Sequence, residues 1–309
     1  MRSANFLNLD MIYQIENNVY GHSRILRRFC QVSDNFIIPG IIQHGWNFGA
    51  GFGYHEDRSE YLQKFIWSKA NFERIKTSDP GKYQIIGAPW LYLPTEIEAK
   101  KKTLDLCLNR KLVFVQHQTS SIKHDPALFV ELINNWKSEF GLEAVFCLHP
   151  RDYYDTQIHN LFEINGLSTI TMGSKGILPH HDSSFLYNLK SAISVSKEIV
   201  VNQVGTPVLY AGNLGKKVTI SGHSTYKESY HEKEAKKFVE MYGKTGELKS
   251  FANFHLGLEF KRTSDELKTL FSWDKILSNR FKNNFYLARS IDLLKINSAF
   301  LKEKSVRFY

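Results

Sequence analysis

The sequence predicts an α/β protein made of two parallel-sheet domains that face each other across a cleft. Three observations predict it. Short apolar runs ending in Gly, Pro or His alternate with amphipathic stretches, which is how βα units appear in sequence. The chain has 309 residues, enough for two domains of ordinary size. Its apolar fraction of 42% is sufficient to fill both cores.

In the first third, residues 35–39 (NFIIP) and 41–44 (IIQH) lead into a glycine-rich loop, His44-Gly45-Trp46-Asn47-Phe48-Gly49-Ala50-Gly51. Residues 64–68 (KFIWS) read as a short buried strand, followed by an amphipathic segment over 70–76. Residues 83–87 (YQIIG) read as another strand, closed by Ala88-Pro89-Trp90. A charged stretch over 94–110, helical in part, connects the two domains. Residues 111–115 (KLVFV) then form a buried strand ending in the polar loop Gln116-His117-Gln118-Thr119-Ser120-Ser121. From Pro126 to Phe140 the apolar residues Leu128, Phe129, Leu132, Ile133 and Trp136 fall at helical spacing, and Gly141 stops that helix. Further strands are expected over 144–148, 168–172, 198–201 and 217–220, with a helix from Ser184 onward. Residues 111–222 thus read as four or five βα repeats in one doubly wound domain. Beyond about 230 the pattern is helical, with a basic, aromatic tail over 278–309. The expected division is 1–100, 101–230 and a helical 231–309. The tail either packs back across the domains or lies on an anionic bilayer.

Forty Lys and Arg against 31 Asp and Glu give a net charge of +9, which suits an anionic partner such as a nucleotide phosphate, a lipid surface or an acidic polymer. Nucleic acid is not expected, because there is no Arg-rich arm, zinc spacing or RNP-like motif. Cys30, Cys107 and Cys147 are far apart and odd in number, against a disulfide framework or structural zinc. There is no apolar leader and no run of about 18 apolar residues, so the expected location is the cytoplasm, peripheral to the inner membrane face at most.

In a doubly wound sheet, ligands bind beyond the carboxyl ends of the strands. The residues at those ends are therefore the candidates: Thr119 and Ser120, His149 and Arg151, Gly173 and Ser174, Asn202 through Thr206, and Ser221 and His223. The run Val200-Val201-Asn202-Gln203-Val204-Gly205-Thr206-Pro207 reads as strand, tight turn and helix. Thr206 is the expected N-cap and Pro207 the first helical residue. The helix N-terminus, the hydroxyl and the open backbone at Gly205 together attract phosphate; a plain capped helix accounts for the same pattern. His149-Pro150-Arg151 offers an imidazole and a planar guanidinium to phosphate oxygens, or is a turn stiffened by proline. His44, before Gly45, is placed either as a base for an attacking hydroxyl or as a brace for its own loop. The glycines do not match a dinucleotide fingerprint. His180-His181-Asp182 lacks a third ligand at metal spacing and reads as a loop, so no metal site is expected.

The segments IIQHGWN and IIGAPW, then VFVQHQTSS, FCLHPRD and VVNQVGTPVLYAGNLGKKV, resemble in their order the GT-B glycosyltransferases of bacterial surface-polysaccharide synthesis. The His-Pro pair is similar to that of CMP-sugar enzymes, the sialyl and Kdo transferases. More distantly it is similar to that of the CDP-glycerol glycerophosphotransferases, in which an HG loop like His44-Gly45 supplies a catalytic His. Those enzymes carry a serine pair where this chain has Asn202 and Gly205-Thr206, which weighs against that branch. The resemblance implies two Rossmann-like domains and a metal-independent, cofactor-free transfer of a sugar from a nucleotide-sugar donor, CMP-sugar favoured. The acceptor would be a hydroxyl of a glycan or lipid-linked glycan of capsule or lipopolysaccharide. It implies His44 as base, and His149, Arg151, Asn202, Gly205, Thr206, Gly173 and Ser120 as donor-binding residues. A glycerophosphotransferase, a UDP-sugar epimerase and a non-catalytic nucleotide- or glycan-binding protein remain the alternatives.

Overall fold

The computed structural model describes residues 16–46, 63–75, 79–94, 101–118, 123–175, 181–225 and 245–273, together with Phe238 and Tyr242. Two parallel sheets form its frame. The first has the order β1-β2-β3, with β1 Ile41–Ile42, β2 Lys64–Ile66 and β3 Tyr83–Ile85. The second has the order β6-β5-β4-β7-β8, with β4 Lys111–Phe114, β5 Ala144–Cys147, β6 Ser168–Ile170, β7 Glu198–Val201 and β8 Val218–Ile220. Every pairing is parallel. The strand order of the second sheet reverses between β4 and β7, the doubly wound arrangement whose ligand crevice opens at that switch point. The architecture is thus the two-domain α/β type expected.

The strands are short because each is bounded by the turn residues that the sequence displays. They are apolar on both faces because helices cover both sides. Leu112 of β4, Val145 and Cys147 of β5, and Ile199 and Val201 of β7 enter one core. Val113, Phe146 and Val200 point the other way, toward Phe129, Leu132, Ile133 and Trp136 of helix α4, Pro126–Phe140. That helix starts on an Asp125 cap with Pro126 in the first turn and ends at Gly141, whose φ is +51°.

The first core runs without a break into the first sheet, taking in Ile42, Phe65 and Trp67. Three further helices join the two halves. Helix α1, His22–Phe29, packs on the 3₁₀ turn Pro89–Tyr92. Helix α8, Thr206–Asn213, follows β7, and helix α9, Thr245–Leu256, crosses it and also reaches α2, Lys69–Arg74. The α8–α9 crossing is close: a Cβ on Gly212 would lie 2.9 Å from Leu248 Cγ and 3.0 Å from Ala252 Cβ. After α9 the chain turns at Gly257, φ +70°, where a Cβ would sit 1.8 Å from the Trp67 carbonyl oxygen. Trp90 stacks on Tyr210 at 4.1 Å and donates its Nε1–H to Asn213 Oδ1 at 2.9 Å, closing the two halves on the same side.

Candidate active site

The carboxyl ends of β1, β4, β5 and β7 converge. The turn after β1 is set by Gln43, which is fully buried. Its Oε1 accepts the Trp67 N–H at 2.9 Å, its carbonyl accepts the Trp67 Nε1–H at 3.1 Å, and its Nε2 donates to the Gly45 carbonyl at 2.7 Å. His44 is therefore carried between two anchored residues. Its ring lies 5.1 Å from that of Tyr20, which in turn lies 4.5 Å from Phe185 of the other half. Burial, with His117 and His181 nearby, lowers the His44 pKa to about 4.

The next residues, Gly45 and Trp46, meet the start of α8. Thr206 is the first residue of that helix and Gly205 is its N-cap, one position earlier than the pattern suggests. The reason is tertiary. The Thr206 hydroxyl accepts the Trp46 N–H at 2.9 Å and donates to the Trp46 carbonyl at 3.3 Å, so it joins the two halves instead of capping its own helix. Gly205 has an extended backbone, and among the described residues a Cβ there would meet only Pro207 Cδ at 3.9 Å.

Asn202 also has a framework role. It is buried, its Oδ1 accepts the Gln116 N–H at 2.8 Å and its Nδ2 donates to the His223 carbonyl at 3.2 Å. Both amide atoms thus bind the ends of β4 and β7 to the loop after β8. Gln116 continues the network, accepting from the Thr225 N–H and hydroxyl at 3.2 Å each.

His149 caps the short helix α5, Pro150–Tyr153, with its Nδ1 accepting the Arg151 N–H at 3.2 Å. In the neutral ring the proton then sits on Nε2. The ring stacks on His117 at 4.4 Å with an interplanar angle of 19°. Arg151 is exposed and acts electrostatically on Tyr20 and His117. Burial raises the Tyr20 phenol to about 12, against an opposing pull from Arg151. His117 is exposed, and partial desolvation lowers its pKa; Asp152 opposes that shift, while Arg151 and His124 add to it.

Gly173 lies after β6, at the outer edge of the sheet, and its carbonyl accepts the Tyr154 hydroxyl at 3.4 Å. It stands two strands from the switch point. Ser120, like Thr119, lies outside the described residues, as do His180 and the 278–309 tail. Asp182 Oδ1 accepts from the Ser184 N–H at 2.8 Å and its hydroxyl at 2.6 Å, so it shapes the entry to helix α7, Phe185–Val195. Among the described residues no group of three or more His, Cys, Asp or Glu is placed to hold a metal ion, and no helix is long and apolar enough to cross a membrane.

The structure thus gathers His44, His117, His149, Arg151, Tyr20 and the Gly205–Thr206 turn around one cleft. Of these, His117 and Tyr20 are additions to the expected set. His117 is visible in sequence as the second polar residue after a buried strand. Tyr20 carries no such signal, since its place depends on α1 packing against the far half. Chemically, the cleft offers a guanidinium, a helix start and several imidazoles that are neutral near pH 7. It suits a phosphate-bearing ligand and a proton-accepting group close by.

No family model and no curated protein matches the chain. Among solved structures, the fold is similar to S. aureus MnaA with UDP, at 11% identity and TM-score 0.38 over 82% of this chain and 71% of that one. It is similar to Methanocaldococcus jannaschii UDP-GlcNAc 2-epimerase with UDP-GlcNAc and UDP, at 14% and 0.37 over 68% and 56%. It is also similar to S. aureus TarM in complex with fondaparinux, α-GlcNAc-glycerol and UDP, at 10% and 0.34 over 74% and 49%. The chain spans about half the length of several of the structures it matches. Likenesses this distant say nothing about activity or ligand.

Proposed function

We propose that the protein is a GT-B-type enzyme that moves a sugar from a nucleotide-sugar donor to a glycan hydroxyl. The observation that carries this reading is the convergence of both sheets' carboxyl ends at the β4–β7 switch point, with Trp46 of one half bonded to Thr206 of the other. In this reading residues 101–230 hold the donor phosphates, through Arg151, His149 and the backbone at Gly205–Thr206. Residues 1–100 present the acceptor. His44 takes the proton from the attacking hydroxyl. The departing phosphate is met by Arg151 and the start of α8, groups aimed in advance at developing negative charge. An anion in the cleft raises the His44 pKa from about 4 toward the range where it serves as a base. The favoured donor is a CMP-sugar, on the His149-Pro150 pair, and the favoured acceptor is a capsule or lipopolysaccharide glycan.

The test is thermal shift with CMP, CDP, UDP and GDP. A ligand at 100 times its Kd stabilises the fold by about 2.7 kcal/mol. Cytidine nucleotides are expected to raise the melting temperature more than GDP. Stabilisation by UDP above CMP favours the epimerase alternative, and no shift with any nucleotide at millimolar concentration removes the donor site.

A further inference from the structure

Asp152 is a buried carboxylate that the function above does not use. It is 2% exposed and follows Arg151 in α5. Its Oδ2 accepts the Gln118 N–H at 3.2 Å and lies 3.9 Å from His124 Nε2, while its buried Oδ1 has no hydrogen-bond partner among the described residues. An amide oxygen would serve Gln118 equally well, so the fold has no need of the charge for that bond. Burying a carboxylate with one oxygen unsatisfied costs stability. The carboxylate is held beside His117 by its bond to the next residue, Gln118, and its charge acts on His117, whose ring stacks on that of His149 at 4.4 Å. Two imidazoles so close cannot both be protonated without strong repulsion.

We propose that Asp152 is a positioning residue, whose charge keeps one proton on the His117–His149 stack when a phosphate-bearing ligand occupies the cleft. The inference rests on the reading of the cleft as an anion site and adds a proton to it. The stack then donates a charge-assisted hydrogen bond to phosphate, stronger than a neutral imidazole gives. Among the described residues, the groups shown to face His117 are Arg151 and Asp152 from α5, His149 from the end of β5, His124 ahead of α4, and His44 from the end of β1. Arg151 and the other histidines oppose the proton, and Asp152 alone among these favours it. His44 in turn is faced by Tyr20, His22 and His181.

The experiment follows the imidazole signal of His117 by NMR against pH in the full chain, alone and with CMP or inorganic pyrophosphate. The midpoint is expected to rise with either ligand. Asp152→Asn is expected to lower it by about one unit in both states, the low end of the effect of a nearby opposite charge. Affinity for CMP at pH 6 falls about tenfold in that variant, the fold-change equal to one pKa unit, and is unchanged at pH 8; Asp152→Glu restores most of it. An unaltered His117 midpoint in folded Asp152→Asn overturns the proposal. Should that variant fail to fold, proton uptake on CMP binding is measured by calorimetry in two buffers of different ionisation heat. His117→Gln is expected to lose at least half of the uptake, and full uptake in it overturns the proposal. If neither CMP nor pyrophosphate binds, the donor-site reading fails, while the ligand-free titration still decides whether Asp152 acts on His117.

Discussion

Thr206→Val removes one hydroxyl and keeps the shape of the side chain. In the native fold that hydroxyl accepts the Trp46 N–H at 2.9 Å and returns a bond to the Trp46 carbonyl at 3.3 Å. Trp46 is 4% exposed, and its indole Nε1–H is taken up by His255 Nδ1 at 3.2 Å, so its backbone N–H has little water to turn to. A buried donor left without a partner costs about 1–3 kcal/mol. At a middle value of about 2 kcal/mol, and with an unfolding entropy of about 2.1 cal/mol/K per residue, the melting temperature should fall by about 3 °C if the whole chain melts as one cooperative unit. Thr206→Ser keeps the hydroxyl and should melt within a degree or two of wild type, which separates the bond from the methyl group. Differential scanning calorimetry reads the shift, and calorimetric titration with CMP reads affinity on the folded variant. The contact joins the two halves, so stability should respond more than affinity. A Thr206→Val protein that melts like wild type but binds nucleotide less well would refute the reasoning and return the hydroxyl to the ligand.

Gly257→Ala should abolish soluble expression or lower the melting point sharply, since φ is +70° and the new Cβ would stand 1.8 Å from the Trp67 oxygen. His44→Ala should reduce turnover by about 10²–10⁴-fold in a sugar-transfer assay, with nucleotide affinity unchanged. A fully active, stable variant would move the search for a base to Glu56 or Asp57, which lie outside the described residues. Buried His22 and His255 have folded pKa values of about 3 and about 4, below the unfolded value of 6.5, because burial disfavours their charged forms. The unfolded chain therefore binds more protons below pH 6.5. The contribution of these two residues is full above that pH and declines as pH falls toward 4, by about 1.4 kcal/mol per pH unit for each. Urea midpoints measured from pH 7.5 to 4.5 should fall accordingly, and a flat profile would show that the rings are hydrated in solution.

The sequence alone determined the elements. Burial on both faces of a parallel sheet produces runs such as KLVF and EIVV, and helical spacing from Pro126 with Gly141 as the stop marks α4 end to end. These signals are local, because hydrogen-bond geometry sets the period at which side chains are buried. Strand ends were legible for the same reason, and they led to His44, His149 and Arg151. The tertiary structure decided what those ends do. Thr206 reads as an N-cap from its neighbours, but its hydroxyl is claimed by Trp46, 160 positions earlier in the chain. Asn202 reads as a strand-end residue, and only the fold shows that its amide ties Gln116 to His223. Gly212 carries no turn signal, and only the approach of α9 shows why a side chain is excluded there. Each of these depends on which distant groups packing brings within about 3–4 Å, and a hydrogen bond or a close contact exists only at that range. No period in the chain encodes those distances.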